Sequence, residues 1–153
     1  MAIPQRLKIR RDEDYHTHHI GRRENGEQFM ALIGATLAMP LPRNWQKDKR
    51  WYAVLHLFDK TGKHLDTKAW LAGTTADGEE AVLERARAKV NEMLKELGRV
   101  TYCDIEVGLF SVEIDGSTFG LVDASEPDEG YERVHLLPGN VAFFAPWDGR
   151  YDT

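Results

Sequence analysis

Cysteine is almost missing from this chain: among 153 residues only Cys103 carries a thiol. An intramolecular disulfide and a cysteine-rich zinc site are therefore excluded, and a lone thiol fits a reducing, cytosolic compartment. Long hydrophobic runs are missing too. The longest nearly uncharged stretch, Phe29–Pro42, is too short to cross a bilayer and contains Pro40 and Pro42, so no membrane partner is expected. Met1-Ala2-Ile3-Pro4-Gln5-Arg6 has no apolar core of secretory length, which adds to the expectation of a cytoplasmic location. There is no surplus of positive charge. The net charge of −5 argues against nucleic acid as the main partner. Glycine-rich phosphate loops, serine elbows and HExxH pairs are absent, and Asp123, Glu126, Asp128 and Glu129 do not follow EF-hand spacing. No catalytic residue and no cofactor is assigned.

What is present is a globular composition, 42% hydrophobic and 29% charged, enough to build a core in one domain spanning residues 1–153. Basic residues crowd the stretch from Arg6 to Arg50, and acidic ones the stretch from Asp115 to Asp152. Either these regions meet or face water on opposite sides, or they form a polar surface for docking another protein.

The pattern predicts an α+β fold of hairpins with one long amphipathic helix, in the order four strands, helix, four strands. Glu13–Arg22 and Glu27–Ala38 flank Asn25-Gly26, a hairpin turn signal. Trp51–Phe58 is apolar on both parities, as in a central strand buried on two faces. It leads through Asp59-Lys60-Thr61-Gly62 into His64–Leu71. Asp77–Leu97 is the helix. Asp77 is its candidate N-cap with Glu80 three residues on, an apolar stripe runs from Val82 to Leu97, and Gly98 is the stop. No second helix is expected. Tyr102–Ile114 and Ser117–Val122 flank Asp115-Gly116. The two-residue loop sets Ile114 opposite Ser117, Val112 opposite Phe119 and Phe110 opposite Leu121. A change of apolar parity between Val107 and Phe110 predicts a β-bulge near Gly108-Leu109. Tyr131–Leu136 and Val141–Phe144, joined by Pro138-Gly139-Asn140, complete a largely antiparallel sheet.

Two candidate sites follow. In Tyr15-His16-Thr17-His18-His19, a strand would place His16 and His18 on one face, where two imidazoles can meet a divalent metal ion. A third ligand would come from His56, His64, His135 or a carboxylate, and a metal-dependent hydrolase is the activity such a site would support. The alternative is a polar strand face near the surface. The second site is an aromatic binding platform, with Phe143, Phe144 and Trp147 of the apolar C-terminal stretch joined by Trp45, Trp51 or Trp70. Its alternative is a chain end wrapped across the core. Cys103 reads as a core thiol, and Asp104 and Glu106 read as the solvent face of a half-buried strand.

Several segments are familiar together: Gly21-Arg22-Arg23-Glu24-Asn25-Gly26-Glu27-Gln28-Phe29, Trp51–Asp59, Ala72-Gly73-Thr74, Phe110–Glu126 and Leu136–Gly149. As a set they resemble small bacterial proteins frequent in actinomycetes and myxobacteria, some of which carry the label formate hydrogenlyase regulatory protein. The resemblance covers nearly the whole chain and implies a bacterial source and a non-catalytic, regulatory role. It brings no functional residues with it. The expected function is therefore a non-enzymatic regulatory or protein-binding domain, acting on another protein or on a second copy. A metal-dependent hydrolase and a small-ligand module, with its pocket between helix and sheet, are the alternatives.

Overall fold

A computed structural model describes residues 2–126, 128, 130–139 and 141–153. In chain order its strands are β1 (Leu7–Ile9), β2 (His19–Arg23), β3 (Gln28–Thr36), β4 (Arg50–Phe58), β5 (His64–Thr74), β6 (Val100–Tyr102), β7 (Ile105–Val107), β8 (Phe110–Ile114), β9 (Ser117–Asp123), β10 (Arg133–Leu137), β11 (Val141–Phe144) and β12 (Tyr151–Asp152). The helices are α1 (Trp45–Asp48) and α2 (Glu79–Glu96). Among the described residues every strand pair is antiparallel. One sheet runs β5-β4-β3-β2-β6, a second runs β12-β11-β10-β9-β8, and β1 with β7 forms a separate ribbon. No helix among the described residues is long and apolar enough to cross a membrane.

The first sheet is the middle layer. Ala53 and Leu55 of β4, with Phe29 and Ala31 of β3, pack against Val90, Met93, Leu94 and Leu97 on the helix side. Tyr52, Val54 and Phe58 turn the other way, toward Phe119 and Leu121 of the second sheet. Burial on two faces is what the mixed parity of Trp51–Phe58 demands. The ribbon closes one end of the inter-sheet core with Leu7, Ile9, Ile105 and Val107. Gln28, fully buried, fastens it there: its Nε2 donates to the Glu106 carbonyl (2.9 Å) and its Oε1 accepts from the Glu106 N–H (2.9 Å). A side-chain amide thus stands in for a strand neighbour.

The Asp115-Gly116 hairpin has the expected register, Ile114 to Ser117, Val112 to Phe119 and Phe110 to Leu121. Both turn residues take positive φ, +51° and +78°, as the tight hairpin requires. The long helix is also present, with Val82, Ala86, Val90, Met93 and Leu94 buried and Gly98 (φ +82°) just beyond it. Its start differs. Asp77 does not cap α2; it closes a short 3₁₀ turn, Thr75–Asp77, where its carboxylate accepts from the Thr74 N–H at 2.9 Å and hydroxyl at 3.1 Å. Gly78 takes the N-cap position.

Other expectations are corrected. α1 is a second helix, a single turn too short to show a periodic stripe. Among the described residues α2 follows five strands and precedes seven, because β1 and β12 are too short to alternate visibly and Tyr102–Ile114 is not one strand. The parity change near Gly108-Leu109 is not a bulge: β7 belongs to the ribbon and β8 to the second sheet, so the chain changes partners there. The strand expected from Glu13 begins only at His19. In the Pro138-Gly139-Asn140 connection, Asn140 lies outside the described residues, as does Glu129.

Gly21 lies where β2 meets β6, and a Cβ there would be driven into the Thr101 carbonyl oxygen. Gly21→Ala is expected to lower stability by about 2 kcal/mol or more through overpacking against backbone, read as a lower denaturant midpoint with an unchanged slope.

Candidate functional site: the open edge of β3

Residues 11–18 leave the sheet because their polar groups offer the backbone other partners. The buried Thr17 hydroxyl donates to the Arg10 carbonyl (2.7 Å) and accepts from the Asp12 N–H (3.0 Å). His16 and His18 therefore sit in a turn, where strand parity does not apply. His18 Nδ1 donates to the Glu13 carbonyl at 3.0 Å, and its ring lies edge-on to His19 with centroids 3.8 Å apart. His16 packs beside Tyr15, centroids 4.8 Å apart. Burial, then the neighbouring His18 and Arg11, lower the His19 pKa to about 4.

The other histidines stand elsewhere. His56 faces the inter-sheet core, fully buried; its Nδ1 is 2.7 Å from Thr67 Oγ1, which is 2.8 Å from His64 Nε2. The His64 ring stacks on Phe110 at 4.2 Å. His56 Nε2 has no hydrogen-bond partner among the described residues, and burial, with His64 adding, pushes the His56 pKa down to about 3. His135 lies on β10, its pKa lowered by burial and by Arg133. Among the described residues, no three His, Cys, Asp or Glu side chains gather closely enough to hold a metal ion.

Nor do the aromatic residues assemble into a platform. Phe143 is in the inter-sheet core and Trp147 packs against that cluster. Phe144, the next residue on β11, points to the other face and meets Tyr131. Trp70 lies on β5 under the Lys89 ammonium, 5.5 Å from the ring centroid, and Trp45 is in α1. Cys103 is half-buried, with Sγ 3.6 Å from the Thr101 carbonyl. Asp104 accepts from the Arg11 N–H at 2.8 Å and Glu106 approaches Arg6 at 3.8 Å, both structural contacts.

The departure of residues 11–18 creates a different feature. β2 pairs with β3 only from Gln28 to Ala31, whereas β4 follows β3 to Thr36. The ladder parity fixes which groups are exposed. Arg23 N–H donates to the Glu27 carbonyl (2.8 Å), so odd residues of β3 direct both backbone groups toward β2 and even ones toward β4. Asp59 N–H donating to the Lys63 carbonyl (2.8 Å) sets the same phase from β5. The N–H and C=O groups of Ile33 and Ala35 thus point to the side where β2 has ended. Among the described residues they have no strand partner there.

Clefts flank this edge. One, of about 890 Å³, has Ala31, Leu32 and Ile33 as its floor, the 13–19 segment as one wall and Arg87, Val90 and Asn91 of α2 as the other. A second, of about 860 Å³, follows residues 32–36 and is bounded by Leu136, Pro138 and Val141 of the second sheet, by Met39, and by Lys49 and Trp51. Gly34 has no room for a side chain, since a Cβ would stand 2.9 Å from Pro138 Cγ. The sequence carried one hint of this site: residues 12–19 hold no apolar run, unlike the stretch they were expected to pair with. Compared with protein-family models, with curated proteins and with solved structures, the chain matches none.

Amide exchange should alternate along the edge: Ile33 and Ala35 are expected to exchange roughly tenfold or more faster than Leu32, Gly34 and Thr36. Uniform protection by NMR would mean that the edge is covered. His56 generates a pH dependence. Its folded pKa of about 3 lies below the unfolded value of 6.5, so the unfolded state binds the proton first. Stability is then full above pH 6.5 and falls toward pH 3, by about 1.4 kcal/mol per unit from this residue. Chemical denaturation of His56→Gln should show a flatter slope than the parent over that interval.

Proposed function

We propose that this protein is a non-enzymatic binding module that takes up an extended segment of a partner polypeptide as an added strand along the open edge of β3. The observation that carries this reading is the outward set of backbone donors and acceptors on Ile33 and Ala35, in a strand whose two faces are already walled. An added strand would satisfy those groups, each hydrogen bond contributing about 1 kcal/mol net, while side chains in the flanking clefts supply selectivity.

The outer edge of β5 is longer, but the β4–β5 pairing shifts register near both ends, and Asp66 and Lys68 lie along it. Irregularity and charge are how exposed edges avoid pairing. Residues 32–36 carry neither. A regulatory role, as the sequence resemblance implies, suits a domain that acts by docking. The hydrolase reading draws no support from His16 and His18, which no third ligand joins among the described residues. The small-ligand reading has one observation in its favour, the imidazoles and guanidinium around the helix-side cleft.

Selection of a phage-displayed random heptapeptide library on the intact protein tests the proposal. Binders are expected that slow exchange of the Ile33 and Ala35 amides and that fail on Ala35→Pro. That substitution removes an edge-facing N–H and leaves the β4 ladder intact. A small ligand held by side chains would survive it. Failure to select any binder, or binders that leave the β3 amides unchanged, would overturn the reading.

A further inference from the structure

Building on strand addition, we infer that the segment taken up alternates apolar and acidic residues. A strand laid beside β3 would turn successive side chains to opposite faces, and the two faces here differ in chemistry. Toward the second sheet Leu32, Leu136, Pro138 and Val141 form an apolar strip of the groove, with the hydroxyls of Ser117 and Thr118 beside it and the largely exposed Met39 at its end. Valine, isoleucine or leucine fits that side.

The helix side is different. Arg87 projects from α2 on the wall near Ile33. Lys49 lines the cleft along residues 32–36 and lies over Trp51, its ammonium 4.7 Å from the ring centroid; Trp51, paired with Ala35, packs with Val82 and Ala86 of α2, which sets this cation on the helix face. Neither cation has an ion pair among the described residues. The contrast with Arg85, two residues earlier on α2, is informative: its guanidinium is committed to the Ala72 carbonyl at 3.1–3.2 Å. Opposing charge in the cleft comes from Glu13 and Asp14. Glu13 is already held by Arg11 at 3.4 Å, which leaves Asp14 as the other carboxylate lining the cleft with Arg87. Asn91 adds an amide donor. Two carboxylates at alternate positions of the added strand would face Arg87 and Lys49, and the residue between them would enter the apolar groove.

Three capped octapeptides test this on the intact protein: Gly-Glu-Val-Glu-Val-Glu-Val-Gly, the same peptide with lysine for each glutamate, and the same with glutamine. Affinity is read by fluorescence anisotropy, and position by shifts of the Ile33 and Ala35 amide signals. The acidic peptide is expected to bind about tenfold tighter than the glutamine peptide, and the lysine peptide weakest. The double variant Arg87→Gln/Lys49→Gln should erase the difference, Arg87→Glu/Lys49→Glu should invert it, and Asp14→Asn should favour the acidic peptide further. Far-UV circular dichroism checks that each variant is folded. If all three peptides shift the β3 amides with equal affinity, the acidic preference is wrong and strand addition stands. If none of the three shifts them although library binders do, the alternating chemistry is wrong. If neither these peptides nor library binders shift them, both readings fall.

Discussion

The structure depends on one constraint: β3 and β4 are apolar on both sides and must be covered twice. α2 covers one side, through a stripe of small and medium side chains, and the second sheet covers the other. Water is excluded where β3 and β4 carry Gln28 and His56, so these polar side chains must find partners inside. Gln28 does so completely, through Asp59 and both backbone groups of Glu106, and in doing so it sets the ribbon in place. His56 does so on one nitrogen only. The same layer therefore contains a well-satisfied polar anchor and a pH-sensitive weak point.

The open edge is a consequence of local competition at the end of β2. Thr17 and Arg10 close a turn that pulls the chain off the ladder, while β3 continues because β4 and the two covers still hold it. One set of hydrogen bonds thus ends the pairing, builds the loop wall of the cleft and brings His16, His18 and His19 to it. Edge and cleft are one structural event, which is why a backbone-directed interaction and side-chain selectivity can coincide there.

Much of the scaffold was legible in the sequence, for identifiable reasons. The double parity of Trp51–Phe58 reports burial on two faces, and the 3.6-residue stripe of α2 reports burial on one. Asp115-Gly116 fixes a register because the turn geometry admits few alternatives. The site was not legible. Periodicity says which side chains share a face, but not which backbone groups lack a neighbour, and the edge exists only because β2 stops early. Parity applied to His16 and His18 presumed a strand that Thr17 breaks. Hydrophobicity grouped Phe143 with Phe144, although adjacent strand residues necessarily face opposite ways.

The order of pairing along the chain has a consequence for how the protein matures. β6 completes the first sheet only after α2 has been made, and Leu7–Ile9 finds its partners opposite Val107–Ile105, far along the chain. Such distant pairing slows folding and leaves early segments without their mates during synthesis. β1 must wait until β7 has been made, with Leu7 and Ile9 unpaired until it emerges. For that interval the nascent chain presents an unpaired apolar strand to the translating cell.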